Sequence, residues 1–295
     1  MIASVLPVIA PIFVCVLVGY LWKLFQQPYD TQMVSRLVMT IGAPALIIST
    51  LSKTPVSVPI LYEMIWVCGS LMAAMLLFGA ILLKSCRLDV RSYINTLAFP
   101  NIGNMGLPVC LFAFGEHGLA LAIALFMIFC VVQFSLGIFL VSGQSFLKVF
   151  LTNPVIYSVF AGVAMIYMDV SLPQWMARSV DLLGSIAIPM MLISLGVSLA
   201  GLKVTSFRES VILAIMRLAL GLFCGWLVVE IFDVEGTMRA VVLIQAAMPT
   251  AVFNYMFASQ YQRNPQQVAG TVVLSTVLGF VTLPWLLLWA KGTLL

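Results

Sequence analysis

The chain has 295 residues, 63% of them hydrophobic and only 8% charged, with a mean hydropathy of +1.15 and a formal net charge of +4. A soluble domain carries about 25% charged and about 45–50% apolar residues, so these values exclude a water-soluble enzyme or a nucleic-acid binder and point to an all-α polytopic membrane protein. The small positive excess is spread over loops of one parity and reflects topology.

In chain order, Met1–Pro11 has no basic residue ahead of its apolar run and does not read as a cleaved signal peptide. Hydropathy predicts ten spans at 4–22, 34–52, 60–83, 92–114, 118–142, 152–168, 179–201, 208–231, 237–259 and 266–290, with short connections and no soluble domain. With the N-terminus outside, the inner loops collect Lys23, Arg36, Lys84, Arg87, Arg91, Lys148, Lys203, Arg208 and Arg263. The outer segments hold only Lys53, Arg178, Arg239 and Lys291. Nine against four predicts both termini outside, in a cytoplasmic membrane, under the positive-inside rule. The six cysteines, Cys15, Cys68, Cys86, Cys110, Cys130 and Cys224, show no CxxC spacing and read as small hydrophobes, so neither a disulfide framework nor a metal site is expected.

Span 4 carries the strongest local signal. Its Phe99–Pro108 stretch holds Pro100, Asn101, Gly103, Asn104, Gly106 and Pro108 in the middle of an apolar run. Proline removes a backbone donor and clashes with the preceding turn, and glycine loosens what remains. The helix is expected to break at mid-depth, which lipid tolerates only where the freed groups are buried in protein or face a wet cavity. Broken helices at that depth are the usual pointer to a transporter's binding site.

The break recurs. Pro44 in Ile41–Ser49 matches Pro189 in Ile186–Ser194 at a separation of 145, and Ala98–Phe99–Pro100 matches Ala247–Met248–Pro249 at 149. Two near-equal offsets predict a five-plus-five duplication: residues 1–142, a short cytoplasmic linker at 143–151, and 152–295. An odd number of spans per unit forces the second copy to insert upside down. Counting 1.5 Å per residue puts both breaks near the middle of spans 4 and 9, so they are expected to cross.

At that crossing Asn101, Asn104, Thr250 and Asn254 are the candidate substrate ligands. The plainer alternative is that they cap freed backbone groups or bridge helices. A half-helix N-terminus offers free N–H donors and a partial positive charge, which suits a carboxylate. Arg217, about nine residues into span 8, is either an electrostatic helper in substrate binding or gating, or a snorkelling side chain. Gln133 and Gln245 read as helix-packing hydrogen bonders. No Asp or Glu falls in the middle of a span; Glu63, Glu116, Asp181 and Glu230 fall at span ends, so no coupling ion is assigned. His117 falls in a predicted outer loop. HExxH, GxSxG and P-loop motifs are absent, so neither an enzyme nor a cofactor is expected.

With its ten-span repeat, the Asn101–Pro108 run and the Ala247–Thr250 partner, the chain resembles the auxin efflux carrier family, specifically its short prokaryotic members, described as malate or malonate permeases. The resemblance implies a fold similar to the bile-acid sodium symporters, with crossed helices 4 and 9. It implies a scaffold of spans 1, 2, 6 and 7, which dimerises in plant members, so a homodimer is possible here. It also implies a transport domain of spans 3–5 and 8–10 that moves as an elevator. The crossing prolines carry over to Pro100 and Pro249. The chain lacks the long central loop of the plant members and the acidic residues that bile-acid symporters place at sodium sites. The expected function is a secondary carrier of small mono- or dicarboxylates. A non-transporting sensor, or a sodium-coupled organic anion symporter, are the alternatives.

Overall fold

A computed structural model describes residues 2–53, 58–142, 172–202 and 206–292, with Val204 and isolated positions between 157 and 168. The expected linker 143–151 and most of expected span 6 lie outside the described residues. The described residues are helical throughout apart from short connections and one isolated bridge.

Among the described residues, five helices are long and apolar enough to cross a membrane: Pro59–Ser85, Ile102–Ser142, Gln174–Gly201, Phe207–Ile231 and Pro265–Ala290. Ala10–Leu24 and Thr40–Thr50 are shorter apolar helices. The chain is therefore an all-helical, multi-pass membrane protein. Several expected spans are assembled from pieces. We label them α1 (Ile2–Leu24), α2 (Thr31–Leu37), α3 (Ala43–Lys53), α4 (Val58–Ser85), α5 (Val90–Ala98), α6 (Leu107–Val132) and α7 (Ile138–Ser142). After the undescribed stretch come α8 (Gln174–Ser185), α9 (Ala187–Gly201), α10 (Phe207–Ile231), α11 (Gly236–Ala246), α12 (Val252–Gln260) and α13 (Pro265–Gly292). Single π turns at Val38–Gly42, Ile102–Gly106 and Gln133–Gly137 lead into α3, α6 and α7.

Expected spans 4 and 5 are not separated by a loop. Gly115 alone turns the chain within α6, at φ 67° and ψ −159°, a backbone shape that a side chain disfavours. His117 follows it on the exposed surface. The helix expected to begin at 179 starts five residues earlier, at Gln174, so Asp181 is inside α8 and not at its end. There it accepts a hydrogen bond from Ser49 Oγ of α3 at 2.9 Å.

Helix association in lipid rests on close packing, because tails are as apolar as leucine. Small residues supply it here. α1 lies along α9 with Gly19 against the Ile193 carbonyl and Gly196 against the Val16 carbonyl, so close that a Cβ at either glycine would overlap backbone. Gly184 of α8 likewise abuts the Leu46 backbone of α3. A second set packs together: α10 against α13, α4 and α11, and α6 against α11 and α4. Its centre is fully buried, around Leu97, Phe99, Phe129, Leu243 and Ile244.

The start of α5 is fixed by Asp89, an N-cap whose carboxylate accepts from Ser92 N at 3.1 Å and from the Ser92 hydroxyl. The hydroxyl, above all, holds the Asp89 carboxyl below its ordinary range. Asp89→Ala should cost about 1 kcal/mol, the usual worth of an N-cap. In the native protein this contribution is complete above the ordinary carboxylate pKa and is lost as pH falls through the lower folded value. Thermal unfolding of both proteins between neutral and acid pH checks it: their midpoints should converge at low pH.

Candidate functional site

Pro100 has no N–H to give and forces the residue before it out of the helical region. Phe99 accordingly takes φ −107° and ψ 100°, and α5 stops at Ala98. Ahead of Pro249 the helix also stops, with α11 ending at Ala246, and beyond the proline Ala251 is extended at φ −65° and ψ 141° before α12 begins. The two non-helical stretches meet antiparallel, with Pro100 opposite Thr250. Asn101 N donates to Pro249 O at 2.7 Å, and Ala251 N donates to Phe99 O at 3.1 Å. Each stretch thus satisfies backbone groups that the other's interruption leaves free.

Side chains complete this crossing. Asn254 Nδ2 donates to Asn95 O at 2.9 Å, Phe99 O at 3.0 Å and Thr250 Oγ1 at 3.0 Å. Its Oδ1 accepts from Gln133 Nε2 at 3.2 Å. Thr250 N donates to Ser275 Oγ at 3.3 Å. Asn254 and Thr250 are therefore committed within the protein and brace the crossing. The reading of Arg217 as a snorkelling side chain is not what the structure gives, since it is completely buried. Its Nη1 donates to Leu97 O at 2.7 Å, Nη2 to Ala246 O at 2.6 Å and Nε to Met248 O at 3.2 Å.

The glycines and second proline of the run are packing residues. A Cβ at Gly106 would overlap the Gln245 amide, and one at Gly103 would sit 3.0 Å from Phe126. Pro108 is buried just after the π turn Ile102–Gly106, and its missing N–H leaves a gap in the backbone ladder there.

Asn101 and Asn104 are placed differently. Asn101 is only 4% exposed, and its Nδ2 has no hydrogen-bond partner. It lines a chamber of about 20 Å³ with Asn104, Gln133 and Phe253, room for about one water. Beside it lies an open cavity of about 510 Å³, lined by Lys23, Asn104, Ser194, Phe253, Tyr255 and Ser259 among others. Asn104 and Phe253 line both spaces, and Phe253 stacks edge-on against Phe134 at 5.3 Å. Both spaces adjoin the first turns of the helical segments that begin at Ile102 and Val252, where helix N–H groups are free. The Tyr29 hydroxyl, 2.6 Å from Ser194 Oγ, holds one wall of the larger cavity. Burial pushes the Tyr29 pKa up.

Of the sequence-predicted ligands, the cavities therefore bring together Asn101 and Asn104, while Thr250, Asn254 and Arg217 are engaged behind them. Lys23 and Ser194 were missed as cavity residues. Lys23 looks like any inner-loop charge, and its proximity to Asn104 depends on α1 packing along α9.

The family described as membrane transport protein matches residues 4–147 and 137–287. An uncharacterized transporter of Methanocaldococcus jannaschii is 25% identical over 307 residues, covering 95% of this chain and 98% of that protein. A Rhizobium meliloti protein named "Putative malonate transporter" is 24% identical over 310 residues, covering 97% of this chain and 95% of that protein.

Proposed function

Since the chain belongs to the membrane transport protein family, the auxin efflux carriers that its motifs resemble, it is a multi-pass membrane transporter, and we propose that it carries small mono- or dicarboxylates by elevator-type alternating access. The observation that carries this reading is the unpartnered Asn101 Nδ2 at the back of a cavity. A buried donor without an acceptor is costly. A carboxylate oxygen entering past Asn104 and Phe253 would supply one, between two helix N-termini that favour negative charge. Lys23 at the wider opening would attract the anion, and neutral amides would let it go again. The malonate named for one relative fits such a space, and is the first substrate to try.

On this reading the chain is a ten-span protein of two inverted repeats, with helices 4 and 9 broken at the crossing. Two observations support it. Gly42 packs against Ala187 at a separation of 145, the offset of the matching prolines, as residues beside a pseudo-two-fold axis would. Pro100 and Thr250 pair antiparallel one residue off the second offset. α1 packs most closely on α9 and α3 on α8, while α10 packs most closely on α13, and this grouping supports a scaffold and a transport domain that meet where α1 and α3 touch α6. Lys23 falls among the inner-loop charges, so the cavity would open to the cytoplasm, with both termini outside.

Malonate counterflow into proteoliposomes tests the reading. Saturable flux is expected, and Asn101→Ala and Asn104→Ala should each raise the half-saturating concentration about 10–100-fold, the value of one hydrogen bond to a charged group. No saturable flux with any small carboxylate sinks the substrate class; wild-type flux in both variants sinks the site.

A further inference from the structure

We propose that Arg217 is a fixed internal cation of the crossing, seated where a secondary transporter would otherwise bind an added monovalent cation, so that the crossing assembles and works without one. The argument starts from the carbonyls it binds. Leu97 O and Ala246 O belong to the last turns of α5 and α11, and Met248 O to the non-helical stretch that follows. Helix C-terminal ends and unwound carbonyls at mid-membrane are the groups from which transporters build sodium sites. Each helix end carries roughly half a negative charge. Two ends together therefore match one guanidinium, and the planar fork can reach carbonyls lying in different directions as a metal ion does.

The surrounding helix is shaped for this side chain. Gly221, one turn after Arg217, faces the Ala246 carbonyl so closely that a Cβ would overlap it, and would also lie 3.1 Å from Arg217 Nη2. Gly225, a further turn on, faces the Ala246 side chain. The spacing Arg217, Gly221, Gly225 puts all three on one stripe of α10. This stripe lets the end of α11 settle onto the guanidinium. A charge buried this deeply is tolerated only when its hydrogen bonds are well made, and here all three nitrogens of the guanidinium have a carbonyl partner. The side chain does not line the cavity at Asn104. Arg217 is thus a positioning residue: it holds the C-terminal ends of α5 and α11 together, while the helical segments that begin across the crossing, at Ile102 and Val252, line the cavities.

The test compares wild type with Arg217→Ala, which opens the carbonyl cluster, Arg217→Met, which fills it without charge, and Arg217→Lys, which keeps a charge. Melting temperatures of the purified proteins are taken in sodium chloride and in choline chloride at equal ionic strength, with and without low guanidinium chloride. Wild type and Arg217→Lys should melt at the same temperature in sodium as in choline. Arg217→Ala should melt lower, and be raised by several degrees, saturably, by guanidinium or sodium ions that enter the vacated site. Arg217→Met should melt lower and respond to neither. The inference is overturned if sodium stabilises wild type over choline, if Arg217→Met equals wild type, or if guanidinium acts on wild type and Arg217→Ala alike. Should the two charge-deleted variants fail to fold, the sodium response of wild type and Arg217→Lys still decides it. The inference extends the carrier reading, but melting needs no substrate, so absence of carboxylate flux would remove that reading and leave this one standing. If flux is found, it should be equal in sodium and choline.

Discussion

Asn254→Asp should destabilise the protein by about 3–5 kcal/mol and abolish transport, although the two side chains have nearly the same shape. The asparagine's donors face two backbone carbonyls and a hydroxyl. An ionised carboxylate offers only acceptors, so it would turn an oxygen towards Asn95 O and Phe99 O. It would also be a buried charge with no cation among its hydrogen-bond partners; an uncompensated buried charge of this kind costs about 3–5 kcal/mol. Because the substitution leaves no cavity, the loss measures the mismatched hydrogen bonds and the buried charge with no packing contribution. Thermal unfolding and size-exclusion behaviour in detergent report it; a variant that unfolds like wild type would show that Asn254 braces nothing.

Gly221→Ala should cost about 3 kcal/mol, the second largest effect. The added methyl forces the Ala246 carbonyl away from α10, which overpacks the contact at about 1–3 kcal/mol. Displacing that carbonyl also weakens a hydrogen bond to a charged group, worth about 1.5–3 kcal/mol. Alanine's better helix propensity returns about 1 kcal/mol. Gly69 of α4 is the control, since nothing lies within 4 Å of a Cβ there. Gly69→Ala should raise the melting temperature while Gly221→Ala lowers it. Equal shifts in the two variants would rule out the close approach at Ala246.

What the sequence made legible follows from how local each signal is. Composition sufficed for an all-helical membrane protein, and the proline–asparagine–glycine run for the family. A proline acts on its own neighbourhood, and α5 and α11 end within three residues of Pro100 and Pro249. The partners of the polar residues were not legible. Asn254 bonds to carbonyls 155 and 159 residues away, and Arg217 to carbonyls on two other helices. Every residue carries such carbonyls, so no letter in the chain marks them as acceptors. The three amides at the interruptions looked alike for the same reason, yet Asn254 is saturated while Asn101 keeps a free donor. Hydropathy put the boundary between spans 4 and 5 at 115–117, where Gly115 turns the chain, but a window average does not show that a single glycine makes the turn.

The contact of α1 with α9 has a use in spectroscopy. Where glycine meets backbone carbonyl on both sides, at Gly19 and Gly196, there is no rotamer to flip and no side chain to slide over another. Two helices joined in this way keep one separation whatever the rest of the molecule does. Paired spin labels, one on each, should therefore return a single sharp distance with or without malonate. That distance gives an internal ruler against which a label on α12 can be read.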